Sequence, residues 1–575
     1  MPRAFFMQLW GEQRPRMKID LLAQVVRARA ICVVIGASLW FGGPAPFADE
    51  PNSPGTSKVA PGGVGAVRFP VSTTPATQEQ FNRAVAMLHS FWYEEVDKAF
   101  SGIGEKDPRC GMAYWGVAMS LYHPLWRPPD EATLRRGWAA VQQAKAVGGQ
   151  TQRERDYIAA IEVFYQDWDK TDHKTRALAY SKAMEQLHRN YSDDREAAIF
   201  YALSLLGTAP PTDKTYANQK KAAEILNRIS LEQPDHPGVI HYIIHAYDAP
   251  ALAHLGLLAA RRYAKIAPAV PHALHMPSHI FTRLGLWQES IQSNQDCVAA
   301  SKEYARRIQL DGVWDEQLHA MDYLAYAYLQ GAEDKKAKEI MDELNRIHKS
   351  SSEELKVAYS MAAIPARYTL ERRRWTDAAV LSAGWRDFPW DRYPAAEAIV
   401  HFARGLGAAR GNDIAGARNE LKQLEAIPAR LAQANQPDWA TPTEVARREV
   451  AAWVARSEGK HEEAIRLLGT AADLEDSTEK QPVTPGPVLP ARELLAEMLL
   501  DLDRPGEALK EFEASLQNAP NRFNSLFGAA RASELSGDRE KAGKFYAQLV
   551  AVCARADSDR QELTAAKRFV EKRSP

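Results

Sequence analysis

The sequence predicts an all-α protein, a solenoid of antiparallel helix pairs, and three observations carry that expectation. From Gln78 onward, runs of 12 to 16 residues with helical apolar spacing alternate with short Asp, Pro or Gly punctuation. The punctuation has a period: the blocks GEALKEFEASLQNAP and GDREKAGKFYAQLV carry their small residues, Ala508 and Ala542, 34 positions apart. No strand-like alternation of useful length occurs. A chain of 575 residues exceeds what one ordinary core needs, and an array growing along one axis accommodates it.

Each block repeats the same local logic. YEEVDKAFSGIGEKDP closes at Pro108 and GEALKEFEASLQNAP at Pro520, while GKHEEAIRLLGTAADL contributes Ala464 and RRWTDAAVL contributes Ala378. The small residue lets two helices approach. The large one four positions after it (Phe100, Phe512, Tyr546) fills the space behind. In these blocks the chain resembles the tetratricopeptide repeat (TPR) family, whose unit is two antiparallel helices in about 34 residues. The resemblance implies a tetratricopeptide-type α-solenoid over most of residues 78–555, because one helix pair cannot bury its apolar face alone. It also implies a protein, peptide or small ligand in the concave groove lined by the first helix of each pair. The expected division is 77–346, an N-terminal TPR solenoid; 347–480, degenerate helical repeats; 481–490, a Pro-rich loop; and 491–575, C-terminal TPR repeats.

The N-terminus reads as a targeting signal. Lys18, Arg27 and Arg29 precede the apolar run Ala30–Phe41 and Gly42-Gly43-Pro44, the pattern of a secretory signal peptide over 1–48, with Met17 a more natural start than Met1. The expectation is export to the periplasm, with an uncleaved membrane anchor as the alternative and no membrane association after cleavage. Residues 49–76 are rich in Pro, Gly, Ser and Thr and read as a disordered linker.

Composition excludes some partners. Lys plus Arg is 72 and Asp plus Glu is 73, so there is no electrostatic case for nucleic acid. The four cysteines, Cys32, Cys110, Cys297 and Cys553, form no CxxC pair and no disulfide framework.

One stretch stands apart. Seven of the 15 histidines lie between 236 and 279 (His236, His241, His245, His254, His272, His275 and His279). With repeats opening at Pro237 and Pro271, His241 and His275 take the fifth place of their repeats, and His245 and His279 the ninth. Two His at i,i+4 share a helix face and can share an ion. The same face carries His272, and in the following repeat His319, Asp322 and Tyr326, as possible additional groove residues. Imidazoles with a carboxylate suit zinc, copper, nickel or iron. Met276 and Asp248 stand nearby. Pro277 is the threat: a helix starting there would leave His272 and His275 in a loop. HPGVIHYIIHAYD and PHALHMPSHIFTRLGLWQESI resemble blocks in a group of exported bacterial TPR proteins with a His-rich central segment, a likeness that names no reaction.

No GxSxG, P-loop, GxGxxG, HExxH or EF-hand loop occurs, and Tyr242 and Met276 stand where zinc proteases carry glutamate. The expectation is a periplasmic solenoid binding a ligand or partner in its groove, with a transition-metal site at His241, His245, His275 and His279. One alternative is a metal-dependent enzyme on those histidines, with Asp322, His319 or Tyr326 assisting. The other is a protein–protein assembly scaffold in which the histidines are incidental.

Overall fold

The structure, a computed structural model, describes residues 63–572 apart from 126, 127, 383 and 386. The expected signal peptide, Met17, Cys32 and the linker up to residue 62 lie outside the described residues. Residues 58–575 group as one compact unit, so the expected repeat segments share one body.

The chain is an all-α solenoid of antiparallel helix pairs. Among the described residues twenty-six α-helices and three short 3-10 helices follow one another, and the only extended pairing is an isolated bridge between Val313 and Ser350. Helix starts obey local chemistry. Asp130, Asp172 and Asp538 accept a hydrogen bond from an amide of the first turn, and Thr151 and Glu154 form a reciprocal capping box. Pro237, Pro271, Pro394 and Pro505 each open a helix where a missing N–H costs nothing.

Each helix packs on its successor, and the helices Asp315–Gln330, Leu355–Leu370, Pro394–Arg410 and Ala440–Ser457 also line up on one another. Ala508 and Ala542 are fully buried. Phe512 lies flat on Gly528, where a Cβ would sit 2.1 Å from the ring. Burying such a side chain contributes about 1.5–3 kcal/mol.

Two segments depart from the linear array. Residues 63–74, expected as the end of a linker, instead run along the first repeats: Phe69 is fully buried, and the Ala66 amide donates to the Asp235 carbonyl (3.1 Å). Phe69 and Val64, with Val67 and Val71 packed beside them, anchor a stretch whose composition is otherwise that of a linker. The Pro-rich segment after the helix His461–Asp476 is expected as a loop between repeats, and it turns back onto the helices Asp315–Gln330 and Leu355–Leu370. Arg367 donates to the carbonyls of Gly486 (2.7 Å) and Pro487 (2.7 Å), and Tyr359 donates to Thr484 Oγ1 (2.7 Å). The last repeats also fold back on the middle of the chain. Trp287 donates to the Asn521 carbonyl (2.8 Å), and Asp557 caps the helix Asp334–Arg346 through the Lys335 amide (2.9 Å). The helix Asp315–Gln330 is consequently buried at every residue. Among the described residues no helix is long and apolar enough to cross a membrane.

Candidate metal centre

The histidines sit where three helical stretches meet. Pro237–Tyr247 presents His241 and His245, and Asp315–Gln330 presents His319. Between them, Pro271–His275 and Pro277–Arg283 present His272, His275 and His279. Pro277 does break the hydrogen bonding, but Met276 keeps right-handed helical angles (φ −55°, ψ −34°). The i,i+4 register therefore passes through the break, and His275 and His279 stay on one face.

The four principal histidines come together, in two sets rather than one. His241 and His245 are closed into a triad by His272, and His275 and His279 by His319, with ligand nitrogens in each set within 4.8 Å of one another. The sets adjoin: the His245 and His279 rings are 6.1 Å apart and those of His272 and His275 6.0 Å. His245 is the one partly exposed member.

Four of the outer nitrogens are held by acceptors. His241 Nδ1 donates to the His89 carbonyl (2.6 Å) and His275 Nδ1 to Asn294 Oδ1 (2.7 Å). His279 Nδ1 donates to Asp248 (2.8 Å) and His272 Nδ1 to Glu316 (2.8 Å). The Asn294 amide group in turn donates to Ser290, which fixes its oxygen toward His275. These contacts set the tautomer and turn each Nε2 inward, the arrangement that orients imidazole ligands around metals. In the second set both Nδ1 atoms are donors, so the His275 and His279 Nε2 lone pairs face each other at 3.1 Å. His241 and His245 Nε2 are likewise 3.1 Å apart.

Burial keeps the rings of His241, His245, His275, His279 and His319 neutral. It holds His241, His245, His275 and His319 well below the usual histidine pKa, with neighbouring imidazoles adding to the effect. His279 is pushed down to about 4 by burial, against the pull of Asp248. Burial would raise Asp248, but Lys480 and Arg283 hold it well below the carboxylate range.

Asp322 and Tyr326 do not join the histidines. The face bearing His319 continues to Tyr323, whose hydroxyl donates to the Thr484 carbonyl (3.2 Å) and lies 3.3 Å from His279 Nε2. Asp322 instead accepts from Arg367 (3.0 Å) and Tyr326 from Arg522 (2.8 Å). A step of seven keeps Tyr326 on the His319 face but carries it about 10.5 Å along the axis, while a step of three turns Asp322 about 60° one way and a step of four turns Tyr323 about 40° the other, toward His279.

A third group, His89, Glu196 and His236, was not anticipated. Each ring donates its Nε2 proton to one Glu196 oxygen at 2.8 Å. Their Nδ1 atoms accept from Tyr242 (2.9 Å) and the Val239 amide (3.3 Å). No lone pair is left over, so this is a closed structural unit. It positions the carbonyl that holds His241. Gly238 permits its approach, since a Cβ there would meet the His89 ring at 2.6 Å. The turn that follows places Phe91 at φ 55°, a conformation costing a bulky residue about 1–3 kcal/mol. That turn sets the Phe91 ring 4.4 Å from His241. His254 is exposed and takes no part, and Cys110, Cys297 and Cys553 are buried and free.

No family model matches this chain, and none of the curated proteins matches it. Solved structures do resemble it. The human IFIT1 dimer with m7Gppp-AAAA is 11% identical with a TM-score of 0.35, covering 77% of this chain and 90% of its own. The APC/C hetero-tetramer Cut9–Hcn1 is 11% identical with a TM-score of 0.32, covering 86% and 83%. Yeast Tom70 is 11% identical with a TM-score of 0.25, covering 69% of this chain and 92% of that one.

Proposed function

We propose that this chain is an exported metalloprotein, a helical-repeat scaffold holding transition-metal ions on two imidazole triads, His241–His245–His272 and His275–His279–His319. One observation carries the reading: two Nε2 lone pairs facing at 3.1 Å while both outer nitrogens donate elsewhere. Two bare lone pairs at that distance repel. Two nitrogens bound to one ion at about 2.0–2.1 Å, with angles from right to tetrahedral, lie about 2.9–3.4 Å apart. The separation is the edge of a coordination sphere. Neutral imidazoles without a thiolate suit copper or zinc first, then nickel or iron. Export rests on the basic and apolar N-terminal pattern. A ligand in the concave groove belongs to the same reading, since a cavity of about 430 Å³ remains beside the Pro-rich segment.

Metal-dependent catalysis is a second reading, favoured by three protein ligands per ion. Catalytic zinc sites use three and keep a position open, whereas structural ones use four. Tyr323, beside His279, would then offer a hydroxyl at the site.

The test is metal content by mass spectrometry of the mature protein purified without a His tag, beside the His241→Ala/His275→Ala double variant. About two ions per chain are expected in the wild type, fewer than one in the variant, and chelation should lower wild-type stability by up to about 4 kcal/mol. A folded wild type that neither carries metal nor takes it up on titration refutes the reading.

A further inference from the structure

The cavity beside the Pro-rich segment is a second site, separate from the histidines. Its 430 Å³ falls in the range that holds small ligands. Ile399, Phe402, Val445, Trp439 and Val488 give it apolar walls. The basic groups around it are already matched: Arg283 and Lys480 by Asp248, Lys214 by Glu479, and Arg492 by Asp476 and Glu511.

The acids are not matched in the same way. Glu449 lines the cavity from the helix Ala440–Ser457, is 2% exposed, and has one carboxyl oxygen with no hydrogen-bond partner. It forms no ion pair among the described residues. Its charged neighbour is another acid, Glu475, which accepts from the Ala491 amide (3.0 Å) and also lines the cavity. A buried polar atom without a partner costs about 1–3 kcal/mol, so an apolar cavity gains nothing from Glu449 unless something binds it.

We propose that this cavity binds an apolar amine, its hydrocarbon or aromatic body against Phe402, Val445 and Trp439 and its ammonium group on Glu449 and Glu475. A carboxylate or phosphate ligand would meet two acids. A neutral hydrocarbon would leave the Glu449 oxygen as it is. Burial and the nearby Glu475 raise Glu449 well above the carboxylate range, and burial takes Glu475 up to about 7. The pair thus holds protons at neutral pH that an ammonium group displaces.

Calorimetric titration of the full chain with octylamine, octanol and octanoate at pH 7 tests this. Octylamine is expected to bind at least about tenfold more tightly than octanol, with octanoate weakest, and to release about one proton per site, read from the dependence on buffer ionisation enthalpy. Glu449→Gln is isosteric and removes a costly buried acid, so it should fold. It should lose the preference for the amine and the proton release together. Equal binding of amine and alcohol, no binding of either, or an amine preference surviving in Glu449→Gln with wild-type circular dichroism overturns the proposal. The metal content of Glu449→Gln should equal that of the wild type, so failure here is distinguishable from failure of the metal reading.

Discussion

The helix Asp315–Gln330 serves two buried polar clusters built on opposite terms. Near its start His319 meets the imidazoles of His275 and His279. One and two turns further along, Asp322 and Tyr326 meet Arg367 and Arg522, both fully buried. The arginine cluster matches its charges within the chain: Arg522 donates to Glu493 (3.0 Å), Glu371 (2.9 Å) and Tyr326 (2.8 Å), and Arg367 pairs with Asp322. The histidine cluster is matched on its outside at four rings, where Nδ1 donates to a carbonyl, amide or carboxylate oxygen. On its inside the Nε2 lone pairs of His275 and His279 face each other at 3.1 Å. Burial alone does not mark a functional site. A surplus of one kind of hydrogen-bonding group does.

The comparison can be broken from either side. The largest effect is expected from Arg522→Met, which strands Glu371 without its cation and leaves Glu493 only its longer pair with Arg373; urea unfolding should show a loss of about 3–5 kcal/mol, with metal per folded chain unchanged. A loss under about 1 kcal/mol would mean the arginine cluster is not structural. Next is Glu316→Gln, which keeps an oxygen for His272 Nδ1 but removes the charge. Metal affinity by competition with a chromophoric chelator should fall about 10–100-fold, with little change in metal-free stability. An unchanged affinity would detach the outer contacts from metal binding.

The smallest effect concerns pH. Glu475 has its folded pKa raised from 4.5 to about 7. Between those values the folded protein keeps a proton that the unfolded chain has lost. Stability therefore falls as pH rises through that window, and below it the penalty vanishes. Thermal melts of metal-free protein at pH 5 and pH 8 should differ in that direction, and Glu475→Gln should flatten the difference. A wild-type melt that rises over the same interval would contradict the assignment.

The helix periodicity, the small residues at Ala508 and Ala542, and the paired histidines 34 positions apart were all legible in the sequence because each is a local or repeated pattern. What was not legible depends on distant partners. Glu196 meets His89 and His236 from 107 and 40 positions away, and nothing in their own neighbourhoods marks the meeting. The Pro-rich segment read as an insertion because Arg367, which holds it, lies 120 positions upstream of Pro487. Tyr323 was missed for a different reason. The repeat register fixed the helix face to within one residue, and one residue turns a helix by about 100°. That error exchanged Tyr323 for Asp322.

The return of the last repeats onto the middle of the chain changes how such a molecule fails. An open repeat array frays from its ends, each unit leaning only on its neighbours, and tolerates truncation in steps. Here Trp287 is tied to Asn521, Asp334 to Arg560, and Asp248 to Lys480. The array is clasped. Removing the final helices exposes the centre rather than shortening an end, and the histidines, far from either terminus in sequence, depend on the last hundred residues for their cover.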